Sequence, residues 1–250
     1  MNVFFIKIAE LTVKISAFYT LSEKLCKDYL AEPTENPDIS VAITKEQLNA
    51  ALEKADEPVP PEYNEFLCIY RTIAEQLPKF GAFVFHGAAI SYKDKGYLFT
   101  APSGTGKSTH IRLWRENIGK AVDIINGDKP IIKISDDGIF VCSTPWAGKE
   151  SWQKNCIFPL GAVTFLERSK SPYIERNAPQ DFISHIMNQA YMPKNAQSMA
   201  CTLELIDRLL GGVPLYTLGC DISENSVKVA FEAMTGERYI ITTRQTGGLH

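Results

Sequence analysis

The stretch Tyr97–Thr109 constrains the fold of this chain more than any other. It begins with Tyr97–Phe99, an apolar run typical of a buried strand. A loop of small residues follows, and then Ile111, Leu113 and Trp114 recur at the spacing of an amphipathic helix. A strand that leads into a helix through a glycine-containing loop is the setting in which a protein backbone binds phosphate.

The loop and the start of the helix supply the groups that such a site needs. Gly104 and Gly106 let the backbone turn its N–H groups toward phosphate oxygens, and the helix N-terminus adds partial positive charge. Lys107 offers a full charge to the β- and γ-phosphates, and Ser108 offers a hydroxyl ligand for Mg²⁺. We therefore predict a nucleotide site with ATP and Mg²⁺ as cofactors. Its binding residues are Ser103, Gly104, Thr105, Gly106, Lys107, Ser108 and Thr109.

The sequence departs from the pattern GxxxxGK[ST] at its first position, where Ala101 replaces glycine. An alanine there needs ordinary backbone dihedral angles, so the beginning of the loop must tolerate a methyl group. From the sequence alone, a glycine-rich turn ahead of an ordinary helix stays open as the alternative.

Composition excludes several classes of partner. The 250 residues carry a formal net charge of −3, which favours neither nucleic acid nor an anionic membrane surface. No apolar run reaches the length of a membrane span, and the charged start MNVFFIKIAE differs from a secretion signal. The 6 cysteines are scattered without a CxxC pair, as expected of reduced thiols rather than a metal site. We predict a cytoplasmic protein without nucleic-acid or membrane partners.

The first part of the chain is predicted to be an N-terminal α/β appendage at residues 1–60, able to pack on the core or on a partner, and residues 61–250 form the main domain. Its elements are one or two strands in 2–16, a helix near Leu21–Leu30, a strand at Ile39–Ile43 and a helix at Lys45–Ala55. Thr44 and Gln47 form a capping box before that last helix. The segment EPVPPEY is the linker candidate, followed by an amphipathic helix from Phe66 to Leu77.

From residue 82 onward the pattern favours antiparallel strands. AFVFHGAAISY is predicted as one strand, joined by a turn at Lys93–Gly96 to the strand before the loop. AVDIINGD, KPIIKIS and IFVCS are further strands, and the turn Asp136–Gly138 indicates a hairpin. The remaining elements are strands at Ala162–Leu166 and Leu215–Leu218 and helices around 178–190, 196–210 and 223–235. The fold class is therefore α/β, with mixed, largely antiparallel sheets and a helical C-terminal segment.

Two residues are candidates for the chemistry beside the loop. Asp128 follows an apolar strand at a turn, where it could bind the metal or take a proton from a hydroxyl, although turn formation alone also explains it. His86 lies in an apolar strand that the hairpin would bring beside the loop strand, where it could contact phosphate or orient the base; a histidine of the core is the alternative. With Lys107, they form the predicted catalytic set.

Further candidates have two interpretations each. The segment 143–150 could close over a phosphate with Lys149 and Glu150, or Trp146 could be a packing anchor beside a solvated Lys-Glu pair. Arg168 could be a transition-state cation or an ordinary surface arginine.

These features together resemble a known family. His86-Gly87, a hairpin, the segment APSGTGKST and a second strand ending near Asp128 resemble the catalytic domain of HPr serine kinase/phosphorylase. More broadly, they are similar to P-loop kinase cores of the phosphoenolpyruvate carboxykinase-like fold. The resemblance covers about residues 80–170 and implies two facing, mostly antiparallel sheets and ATP-dependent phosphorylation of a serine-type hydroxyl. It implies that Lys107 binds the β/γ-phosphates, Ser108 binds Mg²⁺, Asp128 is metal ligand or base, and His86 is their neighbour.

The chain departs from that family in the turn that carries Asp128. The family has two adjacent aspartates where this chain has Gly127-Asp128, so one carboxylate must serve twice, or Glu150 or Asp123 must help. The acceptor hydroxyl is left open among protein, peptide and small molecule, and a homo-oligomer is allowed. The alternative function is a catalytically degenerate nucleotide-binding regulator that acts through a protein partner.

Overall fold

The computed structural model describes residues 1–53 and 59–240, which form a small sheet and a larger curled sheet with helices packed around them. The strands are β1 (Asn2–Ile8), β2 (Leu11–Ala17), β3 (Ile39–Ala42), β4 (Ala82–Val84), β5 (Ala88–Tyr92), β6 (Lys95–Thr100), β7 (Val122–Asn126), β8 (Ile131–Ser135), β9 (Gly138–Cys142), β10 (Ile157–Arg168), β11 (Tyr173–Arg176) and β12 (Leu215–Cys220). The helices are α1 (Leu21–Leu25), α2 (Lys45–Glu53), α3 (Pro61–Ala74), α4 (Lys107–Ile118), α5 (Pro179–Met187), α6 (Ala196–Gly212) and α7 (Glu224–Thr235). Within these residues, no helix combines the length and apolar character needed to cross a membrane.

The small sheet has the order β1-β2-β3, antiparallel in its first pair and parallel in its second. The predicted capping box is present at the start of α2. The Thr44 backbone N–H donates to Gln47 Oε1 at 2.9 Å, and the Gln47 backbone N–H donates to Thr44 Oγ1 at 3.2 Å. The predicted end of this helix, at residues 54–55, and residues 57–58 of the linker candidate lie outside the described residues.

One apolar core joins the small sheet to the rest of the chain. Ile6 and Ile15 of the small sheet pack in the same cluster as Ile69 of α3 and Ile131 of β8, and all four are fully buried. Burial of such side chains stabilises the fold by roughly 1.5–3 kcal/mol each. The division at residue 60 into an appendage and a main domain stays a prediction, and the shared core holds the two parts together.

The large sheet has the order β4-β8-β9-β10-β6-β5-β7, with β12 beside β10 and β11 beside β12. Its pairs are mostly antiparallel, but β10 runs parallel to β6 and β12. Because Ile157–Pro159 of β10 pair antiparallel with β9 and the residues after Gly161 pair with β6, one long strand passes from one half of the sheet to the other. The ladder shifts register at Gly161, where a bulge bends the strand. The fold is thus mixed α/β with curled, mixed sheets, and the predicted strand Ala162–Leu166 is the middle of β10.

The prediction of one strand through AFVFHGAAISY is wrong. The chain leaves β4 after Val84 and enters β5 at Ala88, and these strands lie at different places in the sheet. Three successive backbone N–H groups donate instead to remote carbonyls: Phe85 to Pro130 at 2.9 Å, His86 to Gln189 at 2.8 Å and Gly87 to Asp128 at 3.0 Å. Tertiary hydrogen bonds replace the ladder here, so His86 lies in a junction between strands.

One further prediction needs correction, and one strand was not predicted. The helix expected near Leu21–Leu30 is the short α1 followed by a 3₁₀ turn at Lys27–Tyr29. The strand β11, which pairs antiparallel with β12, was not predicted. The hairpin β5–β6, the hairpin β8–β9 and the helices α5, α6 and α7 lie where the sequence placed them, apart from shifts of a few residues at their ends.

Aromatic packing fixes α4 on the large sheet. Trp114 is fully buried, with its ring 6.1 Å from Tyr97 and 5.6 Å from Phe99 on β6, measured between centroids. On its other side it meets Phe231 of α7 at 5.8 Å. Because this cluster holds α4 against β6, the loop between them spans a fixed distance. The first residues of α4 therefore have a fixed position.

Candidate functional site

The loop Ala101–Gly106, here called the glycine loop, curls between β6 and α4. Gly104 has a φ of +77° and Gly106 a φ of +122°, and a Cβ at either position would meet open space. The need for glycine is therefore conformational, because side chains disfavour this region of φ. Ala101 is fully buried and has a negative φ, as its place in the pattern requires. The first N–H groups of α4 have no partner within the helix and are available to a ligand.

Lys107 turns back over the glycine loop. Its Nζ donates to the carbonyl oxygen of Ala101 at 2.9 Å and to that of Pro102 at 3.5 Å, and only 8% of the residue is exposed. Burial lowers the pKa of this ammonium, with Asp128 opposing and Lys129 adding to the decrease. A buried cation beside a ring of backbone amides favours an anionic ligand.

Asn126 builds the turn that carries Asp128. The Asn126 Oδ1 accepts from the backbone N–H of Asp128 at 2.9 Å and of Lys129 at 2.8 Å, while its Nδ2 donates to the Thr144 carbonyl at 2.9 Å. Asn126 is fully buried, so this side chain fixes the turn from inside the protein. The Asp128 carboxylate is then paired with Lys129 Nζ at 3.0 Å.

His86 links the Asp128 turn to the segment after α5. Its Nε2 lies 3.4 Å from Asp128 Oδ1, and its Nδ1 lies 2.8 Å from Gln189 Oε1. Burial, together with the charges of Lys129 and Lys107, lowers the pKa of His86 to about 4, although Asp128 and Gln189 oppose the decrease. The ring is therefore neutral at pH 7, and its single N–H can donate to Asp128 or to Gln189, but not to both.

A cavity of about 520 Å³, here called the loop cavity, lies between the glycine loop and the Asp128 turn. Its lining residues are His86, Ser103, Gly104, Gly106, Lys107, Ser108, Thr109, Gly127, Asp128, Gly148, Lys149 and Glu150. The structure thus brings together every residue of the predicted site except Thr105, which lies on the other side of the loop. Its volume is in the range of small-molecule sites.

Steric contacts explain why only one aspartate stands in the Asp128 turn. A Cβ at Gly127 would lie 2.9 Å from the Ala147 carbonyl oxygen, so a second aspartate there requires the backbone to move. Gly148 also packs closely, because its Cβ would lie 3.1 Å from Cβ of Asp128. Any second carboxylate in the loop cavity has to come from another segment, and Glu150 is placed to supply it.

The segment 143–150 supports its interpretation as a packing anchor, and its closure over a phosphate stays a prediction. Trp146 is buried and stacks on Phe66 at 5.7 Å and against Tyr70 at 5.2 Å, so it is a packing anchor. Lys149 and Glu150 are exposed and line the loop cavity.

Asp123 does not take part in the loop cavity. Its carboxylate pairs with Lys154 Nζ at 2.7 Å on the exposed side of β7, and it is absent from the cavity lining. The suggestion that it assists Asp128 is therefore not supported by its position.

A second cavity, here called the outer cavity, lies across the glycine loop from Asp128. It measures about 670 Å³ and shares Gly104, Gly106 and Thr109 with the loop cavity. Its other lining residues are Thr105, His110, Arg168, Ser169, Lys170, Cys220, Asp221 and Ile222. Arg168 Nη2 donates to the Gly104 carbonyl at 3.0 Å and so supports the glycine loop from the outer side.

Sequence reasoning missed two members of this site. Lys129 pairs with Asp128, although its place next to an aspartate in a turn does not by itself predict a role in the site. Gln189 contacts His86 from 103 positions away, and no local signal points to it. In residues 1–53 and 59–240, no cluster of three or more His, Cys, Asp or Glu side chains could hold a metal ion.

His110 is buried in the wall of the outer cavity. It is 2% exposed, its Nε2 accepts from Trp114 Nε1 at 3.0 Å, and its Nδ1 has no partner among the described residues. Because a charge here would be buried and unpaired, the pKa of His110 is lowered to about 3. The group is neutral in the folded protein but takes up a proton in the unfolded chain below its ordinary pKa of 6.5.

We expect acid to destabilise the protein through this residue. The unfolded chain binds the extra proton between pH 6.5 and about 3, so stability is present above that window and falls as the pH drops through it. His110 alone should cost about 2 kcal/mol between pH 7 and pH 5. Urea unfolding of the wild type and of His110→Gln at both pH values measures this, and the variant should lose less stability. An equal pH dependence in the two proteins would contradict the prediction.

No protein-family model matches the sequence, and no curated protein matches it. Among solved structures, the chain is similar to the Hpr(Ser) kinase/phosphatase from Coxiella burnetii, with a TM-score of 0.38 and 10% sequence identity, over 61% of this chain and 97% of that chain. A TM-score this low carries no weight for function, which depends on the geometry of the site.

Proposed function

We propose that this chain is an ATP- and Mg²⁺-dependent kinase that transfers a phosphoryl group to a serine-type hydroxyl, as HPr-kinase-like proteins do. The observation that carries the proposal is that Lys107, the N-terminus of α4 and the Asp128 carboxylate all face one cavity. The first two bind the transferring phosphate, and the third accepts a proton. Phosphoryl transfer needs these two functions close together.

The outer cavity and the loop cavity suit the two ends of the nucleotide. The outer cavity is the larger and takes the nucleoside, while the triphosphate crosses Gly104 and Gly106 into the loop cavity. There the ammonium of Lys107 neutralises the terminal phosphates. The arrangement keeps the γ-phosphate on the same side of the loop as Asp128.

Mg²⁺ would be held by the hydroxyl of Ser108 and the carboxylate of Asp128, which line the same cavity and are oxygen donors of the kind that this ion prefers. When bound, it supplies further neutralisation of phosphate charge. A nucleotide-bound Mg²⁺ needs only one or two protein carboxylates, so the lack of a larger acidic cluster among the described residues does not count against it.

The chain's own residues then act on the acceptor. Asp128 takes the proton of the attacking hydroxyl as its oxygen bonds to the γ-phosphorus, and the bond from that phosphorus to the bridging oxygen of ADP breaks. Lys129 holds the carboxylate in position, and the His86 ring lies beside it. Most of the rate enhancement comes from this positioning and from neutralised charge.

A test of the proposal uses γ-labelled ATP and a panel of serine-bearing proteins, peptides and small alcohols. We expect nucleotide binding and transfer of the label to at least one class of acceptor. Binding without transfer would favour the second candidate, a nucleotide-binding regulator, which the single carboxylate and its tight pairing with Lys129 favour. Absence of nucleotide binding would contradict both functions.

A further inference from the structure

A third cavity, here called the aromatic cavity, opens on the side of Asp128 away from the glycine loop. It measures about 430 Å³ and shares Asp128 and Gly148 with the loop cavity. We infer that it receives the phosphoryl acceptor, and that the acceptor is a compact hydroxyl-bearing anion with an aromatic or other apolar group. This inference rests on the proposed kinase function.

Position favours the aromatic cavity for the acceptor. In-line transfer requires the attacking hydroxyl to approach the γ-phosphorus from the side opposite the leaving oxygen. The nucleotide comes from the glycine loop, so the acceptor has to come from beyond Asp128. The aromatic cavity is the one that adjoins Asp128 on that side.

The walls of the cavity favour an apolar group. Phe66 and Trp146 stack at 5.7 Å and are almost fully buried, and Tyr70 packs against Trp146 at 5.2 Å. Tyr63, which is 43% exposed, extends this aromatic wall toward solvent at 6.0 Å from Phe66. Aromatic rings are good partners for another ring or an apolar side chain.

Charge at the rim favours an anion. Lys24 and Lys27 line the cavity and are exposed, and neither is paired with a carboxylate in the part of the chain that the structure describes. Lys129 is already neutralised by Asp128. The remaining acid of the lining is Asp28, so two lysines face one carboxylate. A negative group on the acceptor would complete the balance.

The cationic rim is fixed relative to the catalytic turn. Tyr29 OH lies 2.6 Å from Ser143 Oγ. The Ser143 hydroxyl in turn donates to the Ile125 carbonyl at 2.6 Å, one residue before Asn126. Asn155 Nδ2 also donates to the Asp28 carbonyl at 3.0 Å. The segment that carries the two lysines is thus tied to β7, the strand that leads into the Asp128 turn. The N-terminal part of the chain thereby forms one wall of the acceptor site.

The size of the cavity separates compact acceptors from large ones. A volume of about 430 Å³ is typical of a site for a small molecule or a few residues of a peptide. Two sources of the same chemistry fit: a small alcohol that carries a carboxylate, and a short peptide with serine beside an acidic and an aromatic residue.

The test compares matched acceptors with the full chain and labelled ATP. The small probes are N-benzoyl-serine, its neutral methyl ester, and N-acetyl-serine, which lacks the ring. The peptide probes are hexapeptides in which serine is flanked by phenylalanine and glutamate, or by phenylalanine and lysine. We expect kcat/KM to be about 10-fold higher for an anionic aromatic probe than for its neutral, basic or ring-free counterpart. Whether the small or the peptide series is favoured identifies the source.

The double variant Lys24→Ala/Lys27→Ala tests the cationic rim. It should remove the preference for the anionic probe and leave the KM for ATP unchanged. Lys45→Ala/Lys120→Ala is the control, because it removes the same charge from exposed positions outside the three cavities. The inference is overturned if the neutral and anionic probes are used equally, if both double variants behave alike, or if only a serine on a folded protein is phosphorylated. Nucleotide binding without transfer to any probe also overturns it, and loss of nucleotide binding itself overturns the kinase as well.

Discussion

Replacing Asp128 by asparagine is expected to slow phosphoryl transfer by roughly 10²–10⁴-fold, because an amide cannot accept the proton of the attacking hydroxyl. The measurement is transfer of label from ATP to an accepted hydroxyl probe, with binding of a fluorescent ATP analogue followed in parallel. Without Mg²⁺, the affinity for the nucleotide should be unchanged or raised. The variant removes a negative charge from the neighbourhood of Lys107 and Lys129.

The turn itself should survive this substitution. Asn126 Oδ1 binds the backbone N–H groups of residues 128 and 129, and Gly87 donates to the carbonyl of residue 128, so none of these bonds uses the carboxylate. Asparagine has the same shape as aspartate. The thermal unfolding temperature therefore checks that any loss of transfer comes from the missing base.

Asp123→Asn is the matched control for the same chemical change. Asp123 lies on β7 only a few residues earlier, and its carboxylate pairs with Lys154 outside the loop cavity. This variant should transfer at the wild-type rate. If Asp128→Asn and Asp123→Asn were equally active, Asp128 would not be the base, and another group would have to take the proton of the hydroxyl.

Local signals predicted much of the fold. The strand, the glycine-containing loop and α4 are where the spacing of apolar residues placed them, and the capping box of Thr44 and Gln47 forms both of its hydrogen bonds. The turns that contain Lys93 and Asp136 join hairpins as expected. Each of these features is decided by residues within a few positions of one another, which is why the sequence reveals them.

Features set by remote contacts could not be predicted in this way. The break between strands at His86 depends on hydrogen bonds to the carbonyls of Pro130, Gln189 and Asp128. The apolar run around His86 contains no signal for these contacts. The first half of β10 contains Pro159 and Gly161, two residue types that are unfavourable inside a strand. Pairing with β9 nevertheless keeps the start of this strand in the sheet.

The candidate site divides in the same way. Lys107 and Asp128 follow from motif spacing, whereas the aromatic cavity combines α1, α3 and the segment after β9. Its rim is positioned by a hydrogen bond between Tyr29 and Ser143, which are 114 positions apart. No periodicity in the sequence predicts such a contact. The aromatic cavity could therefore be identified only from the structure.

Replacing Lys107 by methionine is expected to reduce both nucleotide affinity and transfer by at least about 100-fold, because the β- and γ-phosphates lose their buried counter-charge. Methionine fills a similar volume without the ammonium. Isothermal titration with ATP measures the affinity, and labelled transfer measures the rate. Stability should change little or even increase, since burial already lowers the pKa of this lysine and the folded protein no longer has to bury a cation.

If Lys107→Met loses ATP affinity but keeps its stability, the lysine binds the ligand and does not merely close the glycine loop. If the bonds from Lys107 to the carbonyls of Ala101 and Pro102 served only the loop, the variant would unfold at a lower temperature and lose affinity in proportion. Lys107→Arg adds a second criterion, because it keeps the charge but places a broader group in a buried space. It should bind ATP more tightly than the methionine variant and still transfer slowly. Lys120→Met, at an exposed position just after α4, should match the wild type in every assay. Wild-type affinity in Lys107→Met would show that the glycine loop does not hold the nucleotide phosphates.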